Sequence, residues 1–104
     1  MQLLDLKGLS GTAYRFRHVA SPAELPAHAG AFVLARPAGS LAATQIAACG
    51  TRRSLLELAK LWPDLVADGA QMFVRLNVSR AARLAEHEDL VAALKPAEVL
   101  TERD

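Results

Sequence analysis

The stretch Gly30-Ala31-Phe32-Val33-Leu34-Ala35, closed by Arg36-Pro37 and followed after a turn at Ala38-Gly39-Ser40 by Thr44-Gln45-Ile46-Ala47-Ala48-Cys49-Gly50, decides the fold. Both runs are short, almost continuously apolar, and bounded by residues that break regular structure, as strands are. Their separation suits a hairpin. The chain offers helices downstream that can pack against such a sheet.

Ser54-Leu55-Leu56-Glu57 has the form of a capping box, with a serine oxygen placed to accept from an amide three residues on and a glutamate placed to reach back. A helix is expected there, stopped by Pro63, and Asp64 can cap a short second helix that ends at Gly69. Gln71–Val78 places Met72, Val74, Leu76 and Val78 on one side of a further strand. A last helix runs from about Ser79 to Leu94 and ends before Pro96. Upstream, Tyr14, Phe16 and His18 alternate with Arg15 and Arg17, the pattern of an edge strand with one face in water. Two prolines make Ser21–Pro26 a loop, and Gly8-Leu9-Ser10-Gly11 reads as a turn. Leu3, Leu4, Leu6 and Leu9 fit either a packed strand or an exposed interaction segment.

The expected order is β-β-β-α-α-β-α: an α/β (α+β) domain with a small, mostly antiparallel sheet flanked by helices. At 104 residues the chain has room for one domain. Its core is expected over about residues 30–96, with an N-terminal segment at 1–13 and a polar tail at 99–104. Aromatics are only 5%, so Leu and Val must fill most of the interior.

The formal net charge is +1, which gives no strong pull toward nucleic acid or anionic membranes. Residues 1–63 hold seven Lys/Arg against three Asp/Glu, and residues 64–104 hold five against eight. Cys49 is the single cysteine, so an intramolecular disulfide scaffold is excluded. It sits among small apolar residues, where a thiol behaves as a small hydrophobe. Met1–Leu9 carries Asp5 and Lys7 inside its apolar run, unlike a secretory leader, and no stretch has the length of a membrane span. A cytoplasmic protein is expected.

Gly30-Ala31-Phe32 opening one strand and Ala48-Cys49-Gly50 closing the next resemble the two motifs of the GIY-YIG endonuclease superfamily. Leu55, five residues after Gly50, and Arg83-Leu84-Ala85 with Asp89-Leu90 and Pro96 extend the resemblance over roughly Gly30 to Pro96. It implies a GIY-YIG-like fold, and an ancestry in cutting phosphodiester bonds with two tyrosines, an arginine and a glutamate that holds a divalent metal. The first tyrosine falls on Phe32, the second on Ala48, the arginine on Leu58 and the glutamate on His87. The asparagine often found beyond the last proline is missing from Ala97-Glu98-Val99. A slip of one residue would bring Glu86 or Glu88 to the glutamate position. At about 100° per residue, however, Leu84, Leu90, Val91 and Leu94 share a face with His87 near its centre, Glu86 and Glu88 flank it, and Asp89 points away.

With all four positions changed, neither an activator of water nor a stabiliser of phosphate charge remains. The resemblance then implies an inactive scaffold with no metal or other cofactor, kept for binding or assembly with a protein partner or a second copy. The competing reading is a diverged nuclease or weak DNA-binding domain that uses Mg²⁺ or Mn²⁺, with His87 and Arg52 or Arg53 in new roles. Arg15, Arg17, Arg52, Arg53 and Lys60 are the candidate phosphate contacts, although Arg53, Glu57 and Lys60 also stand at spacings that form ordinary surface ion pairs. A lone histidine on an apolar helix face fits a neutral ring with one hydrogen-bond partner. If Phe32, Ala48, Leu58 and His87 surround one point, the lost-site reading stands; if they are scattered, the resemblance itself is wrong.

Overall fold

The hairpin read from the sequence forms, with longer arms. In the computed structural model, which describes residues 2–38 and 43–103, strand β3 spans Gly30–Ala38 and β4 spans Ala43–Arg52. The turn expected at Ala38-Gly39-Ser40 falls largely outside the described residues. Phe32 pairs with Gly50, Val33 with Cys49 and Leu34 with Ala48, after which the register shifts so that Ala35 faces Ile46. An extra residue in β4 resets the alternation. It lets Ile46 and Cys49, three apart in sequence, enter the same core.

The chain is an α+β fold built on one mixed six-stranded sheet. The remaining strands are β1 (Leu3–Lys7), β2 (Ala13–Val19), β5 (Gln71–Leu76) and β6 (Glu98–Leu100), in the spatial order β1-β2-β5-β3-β4-β6. Every neighbouring pair is antiparallel except β4 and β6, which run parallel. Two strands therefore lie beyond the expected order. The leucines at the N-terminus form β1, whose Leu4 and Leu6 pack on the core, so β2 is an inner strand and not the edge that its alternation suggested. Residues 99–104 are not simply a polar tail, because β6 extends the sheet and Glu102 is anchored beneath helix α2 (Arg80–Leu94).

The sheet separates two apolar layers. One face carries Val19, Phe32, Leu34, Ala48, Met72 and Val74, covered by Leu55 and Leu58. The other carries Tyr14, Phe16, Val33, Cys49 and Phe73, covered by Leu90 of α2. The cover of the first face is a 3-10 helix over Leu55–Leu61, followed by the four-residue helix α1 (Trp62–Leu65). Three residues per turn put Leu55 and Leu58 in one line over the sheet, a geometry a full α-helix would spread. Ser54 makes no side-chain cap bond, so the capping box does not form, and Pro63 lies in the first turn of α1 instead of ending a helix. Helix α2 matches its expected limits. Ser79 caps it by accepting from the Ala82 amide at 3.3 Å, and Lys95 closes it in a left-handed conformation. Among the described residues no helix is long and apolar enough to cross a membrane.

Candidate functional site

Phe32, Ala48 and Leu58 come together, each at most 1% exposed, in the core of the first face. Gly50 is needed there for a close approach, since a Cβ on it would stand 2.5 Å from the Phe32 ring and 2.7 Å from the Leu100 carbonyl oxygen. The Arg52 guanidinium lies over the same ring, 5.3 Å from its centroid. Phe32 is thus closed in by a backbone, an arginine and the leucines of the 3-10 helix.

His87 is elsewhere. It faces inward from α2, as the helix periodicity requires, but α2 covers the opposite face of the sheet. The four family positions do not surround one point. His87 is 4% exposed, and its Nε2 lies 2.8 Å from the Thr101 hydroxyl oxygen. Burial holds its pKa below the usual value, favouring the neutral ring. Two of the neighbouring acids are occupied too. Glu86 accepts from Arg75 at 3.0 and 3.4 Å. Asp89, expected to point into water, accepts from the Ser10 amide and hydroxyl at 2.8 and 2.6 Å and from the Tyr14 hydroxyl at 2.7 Å. These bonds fasten the Gly8–Gly11 turn to α2 and hold the Asp89 carboxyl below its ordinary pKa. The resemblance implies a divalent metal at this helix. The donors do not fit one, since His87 is engaged by a threonine and Phe32, Ala48 and Leu58 offer no ligand atom. Among the described residues no cluster of three or more His, Cys, Asp or Glu could hold a metal ion.

The basic residues divide into two groups. Arg15 is paired with Asp5 at 2.8 Å and, with Arg17, Leu3 and Leu76, lines a shallow cavity of about 250 Å³ on β1, β2 and β5. Arg52 and Arg53 line a separate cavity of about 380 Å³ together with Glu57, Thr101, Glu102 and Arg103. Strands β2 and β4 are three places apart in the sheet, roughly 14 Å at the usual spacing. The five candidate phosphate contacts therefore form no single patch, and Lys60 stands exposed on the 3-10 helix. Arg53 lies outside that helix and stands 3.8 Å from Glu102, not in the helical pairing its spacing to Glu57 suggested.

The network that organises this end of the molecule joins Arg52 and Arg83 to Thr51 and Glu102, which the sequence did not single out. Arg83, 4% exposed, donates from Nε and Nη2 to Glu102 at 2.6 and 2.7 Å, and from Nη1 to the Val78 carbonyl at 3.1 Å. The Glu102 amide donates to the Thr51 hydroxyl at 3.0 Å, and Arg52 Nη1 donates to the Thr51 and Leu100 carbonyls, each at 2.6 Å. Beside this network, Leu84, His87, Glu88, Val91, Ala92, Val99 and Thr101 line an apolar groove of about 350 Å³ between α2 and β6. Thr101 lines both the groove and the arginine cavity, so the two adjoin. Cys49 takes no part. It is buried, and that burial pushes its thiol up to about 11, which leaves it protonated and unreactive near neutrality.

No family model, curated protein or solved structure matches the chain.

Proposed function

We propose that this domain acts by binding and assembly with protein and not by catalysis. The observation that carries the reading is the closed apolar packing of Phe32, Ala48 and Leu58, where the resemblance places chemistry. A phosphodiester cannot reach side chains 0–1% exposed, and an apolar core offers developing charge no stabilisation. The surface is differentiated instead at the α2–β6 edge, where the apolar groove adjoins the arginine cavity. Apolar area rimmed by Arg is the composition of a protein-binding surface.

The arginine cavity also favours a second reading, binding to a nucleic-acid backbone. Arg52, Arg53 and Arg103 outnumber Glu57 and Glu102 in its lining, and Arg83 already engages Glu102. Two assays separate the readings. Incubation with supercoiled plasmid and Mg²⁺ or Mn²⁺ is expected to give no nicking, and nicking that is lost in His87→Ala would overturn the non-catalytic reading. Anisotropy with a labelled duplex is expected to show no salt-dependent affinity. Binding that falls steeply with salt and weakens in Arg53→Ala would favour the nucleic-acid reading instead.

A further inference from the structure

The outer edge of β6 has no strand beside it among the described residues, and the groove along it is apolar. Natural sheets usually blunt such an edge with charge, proline or shortness. β6 is short, and Pro96 precedes it, yet Val99 stands 49% exposed on the α2 side. It flanks a groove whose other wall is Leu84, Val91 and Ala92.

We infer that this edge pairs with β6 of a second copy, antiparallel about a twofold axis at Val99, so that the two sheets become one and the two α2 helices meet over the paired valines. The inference rests on the binding-and-assembly reading and names its partner. The register supplies the support. With Val99 opposite its own counterpart, Glu98 of either copy stands opposite Leu100 of the other. Residues directly opposite in a sheet share a face. Glu98 and Leu100 lie on the face of their β4 partners Ala48 and Gly50, which is the Phe32 face. Arg52 occupies that face, with its guanidinium fixed on the Leu100 carbonyl at 2.6 Å. The pairing therefore brings a glutamate of each copy to an arginine of the other, twice by symmetry. On the opposite face it places the second copy's Val99 against the groove that the first leaves open. One patch complements itself in charge and in polarity, as a closed twofold contact requires.

Sedimentation velocity on the full chain, from micromolar to millimolar, tests this. The expected result is a reversible monomer–dimer equilibrium that Val99→Arg abolishes, while at dilutions where the wild type is monomeric the variant unfolds at the wild-type midpoint, since the residue is half exposed. Glu98→Lys is expected to weaken the dimer as well. A Val99→Cys variant, in a Cys49→Ala background that removes the neighbouring thiol, should oxidise to a disulfide-linked dimer, because opposed Cβ atoms of a strand pair, about 4.5–5.5 Å apart, need only a small shift to reach disulfide geometry. Val78→Cys, exposed and off the edge, should form no disulfide-linked dimer under the same oxidation. A strict monomer at every concentration would overturn the inference, as would a dimer indifferent to Val99→Arg. Either result would leave the binding reading to other protein partners, whereas metal-dependent nicking would sink that reading whatever the oligomeric state.

Discussion

Glu102 receives both Nε and Nη2 of Arg83, at 2.6 and 2.7 Å, and the two side chains are 3% and 4% exposed. The pair ties the C-terminal segment to the first turns of α2, and the Glu102 amide bond to Thr51 ties the same residue to β4. A buried pair of this kind adds little net stability over an apolar substitute, but losing one member strands the other without solvent. Glu102→Gln is expected to cost about 3 kcal/mol, read as a drop in the denaturant midpoint. An unchanged midpoint would mean that Arg83 reaches water and that the segment is not held by this pair.

Acid should loosen the same region in two stages. Burial depresses the His87 pKa below its usual value near 6.5, so the unfolded chain takes up that proton first. Stability is complete above that value and falls as the pH drops from it toward the folded pKa. The Arg83 guanidinium holds the Glu102 carboxyl below its ordinary 4.5, and Ser10 and Tyr14 hold Asp89 below its ordinary 3.8. Their contributions are present above those values and are lost as the pH falls through the depressed ones. Thermal midpoints between pH 8 and pH 3 (about the span of these groups) should therefore decline first below neutrality and again in the carboxylate range. His87→Gln should remove the first decline and keep the second. A midpoint that rises on acidification would contradict both assignments.

These groups also mark where the sequence stopped being readable. The hairpin was legible because Gly30–Ala35 and Thr44–Cys49 carry apolar runs between breakers, and α2 because Ser79 and Pro96 bracket a periodic pattern. The inward turn of His87 followed from that periodicity. Which face of the sheet α2 would cover did not, since helical period fixes a residue's side of its own helix and says nothing of the helix's side of the sheet. That one undetermined choice places His87 behind the sheet from Phe32. Glu102 was invisible for another reason. Its partners Thr51 and Arg83 lie 51 and 19 positions away, and Thr101-Glu102-Arg103 taken locally has the composition of a solvated end. β2 read as an edge because its basic residues alternate with aromatics, a pattern equally produced by an inner strand whose outer-face charges pair with β1, as Arg15 does with Asp5.

Gly50→Ala tests the close approach between β3, β4 and β6. The added methyl would lie 2.5 Å from Phe32 and 2.7 Å from the Leu100 carbonyl, and that oxygen is backbone already held by Arg52. Overpacking at a closed contact costs about 1–3 kcal/mol. Thermal unfolding should show that loss, whereas Gly11→Ala, with open space around it, should cost less despite its positive φ of 89°. Equal losses would show that the β4–β6 contact is looser than drawn.

Substitutions at Leu58 and Phe32 give the sharpest test of the closed core. Leu58 is 0% exposed among Phe32, Leu55 and Met72, with no carboxylate in that cluster. Leu58→Met conserves volume and should cost less than about 1.5 kcal/mol. Leu58→Arg would bury an unpaired cation, a change whose cost exceeds about 4 kcal/mol and so removes most of a small domain's stability. Phe32→Tyr adds a hydroxyl at the ring edge that is already closed against the Gly50 backbone, with an overpacking cost of about 1–3 kcal/mol. Circular dichroism is expected to show a folded Leu58→Met, a weakened Phe32→Tyr and an unfolded Leu58→Arg. A folded Leu58→Arg that gained metal-dependent nicking would instead mean that the core opens to solvent at this point, and the non-catalytic reading would fall with it.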